Sequence, residues 1–194
     1  MENMLERLAK LHICNKKIAV MMRHGEREII PSGQFGSDLM LTKRGIRTVI
    51  DFGEKISKYN IAKILTSPIP RCVQTAILLQ QGISKPLEII SDHHLGNPGF
   101  HIADAEKAGK YYLENGVKGV FEKYIAGEKL DGINSVDYLK TTAMNWLKSQ
   151  VTECGITIFV THDALIANFA YANGIKTYSR QNWVGFLDGI IITN

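Results

Sequence analysis

Apolar residues fall along this chain in two spacings. Short, mostly apolar runs at 18–22, 61–66, 87–90 and 156–160 predict strands, with 18–22 and 156–160 reading as buried. Between them, apolar positions recur three and four apart, as on one face of a helix. Residues 2–13 carry Leu5, Leu8, Ala9 and Leu11 at that spacing and predict a short amphipathic helix. Thr42 stands where an N-cap belongs, ahead of Ile46, Val49, Ile50, Gly53 and Ile56 on one face. Ser67-Pro68 opens another helix, with Val73, Ala76 and Ile77 inward and residues 77–79 as its apolar end. Residues 136–151 predict a further helix, with Leu139, Ala143, Trp146 and Leu147 in register and Gly155 ending it. Residues 163–172 predict another, closed by Asn173-Gly174.

Elsewhere the pattern is broken. Residues 32–39, with two glycines, read as a loop. Gly96, Pro98 and Gly99 interrupt the stretch 91–134, and Tyr111, Tyr112, Phe121 and Tyr124 follow in one or two helices. The chain closes on 183–187, a turn at Asp188-Gly189, and 190–193, which together resemble a hairpin. Alternating strands and helices predict an α/β fold, a three-layer sandwich. Its central sheet is mostly parallel, with helices on both faces, and the terminal hairpin adds antiparallel edge strands.

Size and charge narrow the picture slightly. A chain of 194 residues fits a single domain with a core that needs no staples. The formal charge of +4 comes without any block of five like charges. That argues against nucleic-acid and membrane partners and suits a small anionic ligand. Cys14, Cys72 and Cys154 are odd in number and none are in CxxC spacing, so they read as reduced thiols. Residues 1–17, with Glu2 and Glu6 and no apolar stretch, do not read as a signal peptide. No apolar run reaches the roughly 18–20 residues that span a bilayer. The expectation is a cytoplasmic protein; oligomeric state is not readable.

The chemistry lies where strands end. In open α/β sheets, ligands bind beyond the carboxyl ends of the strands. Arg23-His24-Gly25 follows the first strand, Thr66-Ser67-Pro68-Ile69-Pro70-Arg71 the second, and Thr161-His162-Asp163 the late strand at 156–160. Two histidines and two or three arginines thus converge on one sheet edge. A neutral His24 can act as a nucleophile, and the arginines can hold a phosphate against it. Arg71 falls in the first turn of its helix, where a cation is slightly unfavourable alone and cooperates with the helix N–H groups beside an anion. Gly25 lets the backbone approach a ligand closely. Taken singly, each residue is as well explained by a solvated surface; the convergence carries the argument.

The combination of Arg23-His24-Gly25, the helix start Leu41-Thr42-Lys43-Arg44-Gly45, Ser67-Pro68 with Arg71 and Gln74-Thr75-Ala76, and the late His162 resembles the histidine phosphatase superfamily. That superfamily includes the phosphoglycerate mutase-like enzymes and the histidine acid phosphatases. The resemblance runs from Ile18 to the end of the chain. It implies that His24 becomes phosphorylated and that Arg23, Arg71 and His162 complete the phosphate pocket. Arg27 matches the second arginine of the acid phosphatase pattern. His162-Asp163 looks like that branch's His-Asp element, in which the aspartate protonates the leaving group. The mutase-like branch often takes its acid from a glutamate after the third strand. Here residues 91–97 hold no glutamate.

These readings give an expected mechanism. Arg23, Arg71, His162 and Arg27 stabilise the charge of the phosphoryl group in flight. The same cations keep His24 neutral. Asp163 is the expected general acid, with Glu26 and then Asp92 as rivals; capping its own helix is Asp163's alternative role. Which ring nitrogen of His24 attacks is not readable from sequence. Asp92 with His93-His94 could suggest a metal, but adjacent histidines at a strand end point apart, so no metal or cofactor is expected. His12 and His101 have no partner that the sequence names. Residues 91–134 are expected to cover the pocket as an insertion within the single domain 1–194. Phe100, His101, Tyr111 and Tyr112 are its candidate substrate contacts, while Trp146 and the Leu139-Ala143 face read as core. The leading expectation is a metal-independent phosphatase of a small phosphorylated metabolite. The alternatives are a phosphotransferase or mutase, and a non-catalytic phospho-ligand binding module.

Overall fold

The structure, a computed structural model, describes residues 3–11, 15–31 and 33–193. His12, Cys14, Ser32 and the ends of the first expected helix lie outside the described residues. Five strands form one sheet in the order β3-β2-β4-β1-β5. They are β1 Lys17–Arg23, β2 Ile61–Thr66, β3 Glu88–Ser91, β4 Gly155–Thr161 and β5 Gly189–Thr193. All neighbours run parallel except β5, which pairs antiparallel to β1.

Strand alternation divides the core in two. Ile18, Val20 and Met22 of β1, with Ile156, Ile158 and Val160 of β4, pack under α1 Met4–Ala9, α2 Lys43–Ile56 and α3 Pro70–Ile83. Ala19, Met21 and Phe159 point the other way, toward α4 Ala105–Ile125, the helical stretch 136–150 and α7 Asp163–Ala172. Because both faces are covered, β4 is buried along its whole length. Helices α2 and α3 cross closely on glycines: a Cβ on Gly82 would lie 2.2 Å from the carbonyl oxygen of Ile50. No described helix is long and apolar enough to cross a membrane.

Several sequence expectations hold and several shift. Thr42 caps α2 as expected, its hydroxyl accepting from the N–H of Gly45 at 2.9 Å. Helix α3 begins at Pro70, not at Ser67-Pro68, and continues to Ile83. Ile77 faces solvent, 54% exposed, while Cys72, Thr75, Ala76 and Leu79 face inward. Stretch 136–150 is α5 Val136–Tyr138, a π turn Leu139–Ala143 and α6 Met144–Gln150; Gly155 belongs to β4. Residues 105–125 form two helical pieces joined at Gly116, whose φ of 65° breaks the helix. The terminal hairpin is corrected. Arg23 donates its N–H to Asp188 O and accepts from the N–H of Leu187, so 183–188 folds around the end of β1. The antiparallel edge is therefore the one strand β5.

Candidate active site

Parallel pairing in register sets the site. Arg23 lies opposite Thr161 and Thr66 opposite Val160, so β1, β2 and β4 end side by side. His24, Ser67 and His162 then follow at one edge. His24 is 2% exposed. Its Nδ1 lies 2.8 Å from the carbonyl oxygen of Gly25, which can only accept, so Nδ1 carries the proton. The lone pair is left on Nε2, where Arg71 Nε donates at 3.1 Å. Burial first, then electrostatic coupling to His162 and the charge of Arg71, push the His24 pKa well below its usual value; the Gly25 carbonyl opposes this. The imidazole is neutral.

Arg71 is the hub. Beyond His24, its Nη1 donates to Gly36 O at 2.7 Å and its Nη2 faces His162 Nδ1 at 3.4 Å. The next turn of α3 secures the same region. Thr75 Oγ1 accepts from Gly25 N–H at 3.0 Å, and Gln74 accepts from Leu41 N–H at 2.9 Å. This explains why polar Thr75 occupies an inward position and Ile77 does not. On the far side, Gly25 lets Val49 approach: a Cβ there would sit 2.5 Å from Val49 Cγ2.

His162 is the N-cap residue of α7. Burial, and next the Arg71 charge, press its pKa down to about 3. Asp163 opens α7 with its carboxylate on Arg23 Nη2 and Trp183 Nε1, each at 3.0 Å. Burial alone would raise the Asp163 pKa, but Arg23, Trp183 and His162 outweigh it and hold it below the usual carboxylate range. Asp163 is thus ionised, and it also accepts from the N–H of Ala164. Arg23 donates a second bond to Val184 O at 2.7 Å and stacks over Phe186, 4.2 Å from the ring centroid.

The structure brings Arg23, His24, Arg71, His162 and Asp163 together. Arg27 stands outside this contact set, donating to Glu28 O at 2.6 Å, although burial and then the charges of Arg71 and Arg23 lower its pKa. The rival acids are engaged elsewhere. Glu26 accepts from Thr42 Oγ1 and pairs with Arg44, and Asp92 pairs with His94 at 2.7 Å. His94 stacks on Trp146, and His93 Nδ1 bonds Asn97 O.

Two of the expected substrate contacts, Phe100 and His101, are corrected, both being buried. Phe100 is core, packed on Trp146 and Phe169, and Tyr111 leans on the same cluster. Burial of His101 pushes its pKa down to about 4, and its Nδ1 has no hydrogen-bond partner among the described residues. Tyr112 borders His101. The open cleft lies instead beside Arg23, with a volume of about 730 Å³. Lys118 at the Gly116 break, together with Arg180, Trp183 and Phe186, lines it with Arg23 and Asp163. Phe186 and Trp183 were missed because their stretch reads as a strand. Ser67 carried a readable signal, because it stands at the end of the second strand, four residues before Arg71.

A family model for the histidine phosphatase superfamily (branch 1) matches residues 19–114. The 2,3-bisphosphoglycerate-dependent phosphoglycerate mutase of Thermoplasma acidophilum is 26% identical over 161 residues, 80% of this chain and 76% of that one. A phosphoglycerate mutase structure from Bacillus anthracis superposes with a TM-score of 0.61 at 17% identity, covering 93% of this chain and 92% of that one. A phosphoserine phosphatase of Entamoeba histolytica, solved with 3-phosphoglyceric acid, gives 0.54 at 22% identity, covering 82% and 80%. These structures share the fold.

Proposed function

Because this chain belongs to branch 1 of the histidine phosphatase superfamily, we propose that it is a metal-independent phosphatase that hydrolyses a small phosphomonoester through a phosphohistidine on His24. The observation that carries this reading is the His24 imidazole, neutral and fixed by Gly25, with its Nε2 lone pair turned toward Arg71. As the Arg71 N–H turns from Nε2 to a phosphoryl oxygen, the freed Nε2 lone pair attacks phosphorus and the bond to the leaving oxygen breaks. Arg23, Arg71, His162 and, from further out, Arg27 stabilise the charge on the equatorial oxygens. Asp163 gives its proton to the leaving alkoxide. Water then attacks the phosphohistidine, Asp163 takes back a proton, and the P–N bond electrons return to Nε2.

Asp163 must first gain that proton. A phosphoryl dianion that shares Arg23 weakens the ion pair holding Asp163 charged, and its own charge raises the Asp163 pKa further. Lys118, Trp183 and Phe186 are the proposed leaving-group walls. The stretch 91–134 contributes to them through the α4 break, within a single domain.

A mutase is the second reading, favoured by the Thermoplasma relative. Hydrolysis of p-nitrophenyl phosphate by wild type and His24→Ala, with EDTA and across pH 4–8, tests the first. Turnover that EDTA leaves intact and His24→Ala abolishes is expected. Isomerised ester without inorganic phosphate from a phosphorylated hydroxy acid would favour the mutase.

A further inference from the structure

The two histidines face Arg71 with opposite ring nitrogens. His24 offers Nε2, because its Nδ1–H is spent on Gly25 O. His162 offers Nδ1 to Arg71 Nη2 at 3.4 Å. A guanidinium only donates, so that nitrogen carries the lone pair and the proton sits on Nε2. Ser67 Oγ lies 3.0 Å from His162 Nε2 and is therefore the acceptor. Ser67 is itself fixed, since its Oγ also accepts from the N–H of Ile69 at 3.2 Å. Gly96 closes the third side. A Cβ there would lie 2.3 Å from Ser67 Oγ and 2.8 Å from His162 Nε2, so only glycine leaves room for the pair.

From this we infer that Ser67 is a positioning residue that sets the tautomer of His162, turning its basic Nδ1 toward the phosphoryl site. The inference rests on the proposed phosphate chemistry for its purpose but not for its geometry. In the Nε2–H tautomer, the next proton taken up lands on Nδ1. A phosphate dianion drawn to Arg71 favours that uptake, and His162 becomes a donor aimed at a phosphoryl oxygen. Ser67 thereby ensures that the added proton serves the phosphate and not the protein interior. The groups around His162 are Ser67 just after β2, Arg71 and Cys72 from α3, Asp163 from α7, Arg23 and His24 at the end of β1, and His101 with Gly96 from the 96–101 turn. Among the described residues, Cys72 Sγ, 3.6 Å from Nε2 and 4.0 Å from Nδ1, is the one rival partner. Its weak S–H lies near Thr161 O, and burial pushes the thiol pKa up to about 12, so it brings no charge.

Long-range ¹H–¹⁵N correlation of histidine-labelled protein at neutral pH reads each tautomer without any substrate. In wild type, His162 should be Nε2–H and His24 Nδ1–H. Ser67→Ala should move His162 to the other tautomer or to an averaged mixture and leave His24 unchanged. Cys72→Ala should change neither. Inorganic phosphate added to wild type should convert His162 to the doubly protonated form. His162 found as Nδ1–H in wild type, or unchanged in folded Ser67→Ala, overturns the inference; the wild-type spectrum decides even if the variant fails to fold. Correct tautomers with no response to phosphate would count against the phosphatase reading alone.

Discussion

The Asp163 carboxylate rests 3.0 Å from Arg23 Nη2, and Trp183 Nε1 donates to the same oxygen at the same distance. One arginine thus serves a carboxylate in the site and borders the cleft where a phosphoryl group would sit. This coupling makes Asp163→Asn informative. The amide keeps the size and can still accept from Trp183, but it cannot deliver a proton. Loss of general acid catalysis is worth about 10²–10⁴-fold. Alkyl phosphates, with poor leaving groups, should lose that much turnover, and p-nitrophenyl phosphate much less. Equal losses on both would reduce Asp163 to a residue that merely positions Arg23.

Arg71→Lys separates charge from shape. Arg71 donates in three directions, to His24 Nε2, to Gly36 O and toward His162 Nδ1. A lysine keeps the charge but presents one point donor in place of the planar fork. kcat/KM should fall about 10²–10³-fold, the usual loss when a preorganised donor to a developing charge is removed. Steady-state kinetics beside a circular dichroism check of folding reads this. Near wild-type activity would mean that charge alone suffices.

The parts of this site that sequence displays are those set locally. The strand runs at 18–22 and 61–66, the Thr42 cap and the ends of α7 were legible because they depend on neighbours a few residues away. The three strand-end motifs were legible because parallel strands bring their carboxyl ends together wherever the order places β1, β2 and β4 side by side. Contacts between distant residues were not. Ser67 meets His162 across 95 positions, and Phe186 reaches His24 only because 183–188 wraps the end of β1. That wrap uses Leu187 at φ 56° and Asp188-Gly189, the same residues that would build a hairpin turn, so sequence could not tell the two apart. Ile77 was misjudged because the inward slot belongs to Thr75, whose hydroxyl accepts from the N–H of Gly25, next to His24.

Stability should depend on pH through the buried histidines. His24, His162 and His101 are neutral in the fold, with pKa values depressed by burial, to about 3 for His162 and about 4 for His101. The unfolded chain protonates them near pH 6.5. The unfolded state therefore binds more protons below that pH, and stability falls as pH drops from about 6.5 toward those folded values. Each histidine that stays neutral contributes a slope of about 1.4 kcal/mol per pH unit in that window. Asp163, with its lowered pKa, adds a loss of the same sign that begins only near the ordinary carboxylate pKa of about 3.9 and continues as pH falls toward its depressed folded value. Thermal melts at pH 7.5 and 5.5 should show the decline, and His101→Leu should make it shallower. A melting temperature that does not fall on acidification would mean that these histidines are charged in the fold.

Phe186→Ala tests the cleft wall. The ring lies 5.8 Å from the His24 imidazole, under the Arg23 guanidinium, and is 38% exposed. It has no group that can hydrogen-bond or carry a proton, so its removal should leave the chemical step nearly intact. What it supplies is a surface that holds Arg23 flat and shields the mouth of the site. A cation–π contact at a partly exposed position is worth about 0.5–1 kcal/mol. Since the ring also lines the cleft proposed for the leaving group, KM should rise about two- to five-fold, while kcat stays within a factor of about two. The opposite split, a fall in kcat at constant KM, would mean that Phe186 acts in the transition state by fixing Arg23 against the phosphoryl oxygens, and that the leaving group lies elsewhere.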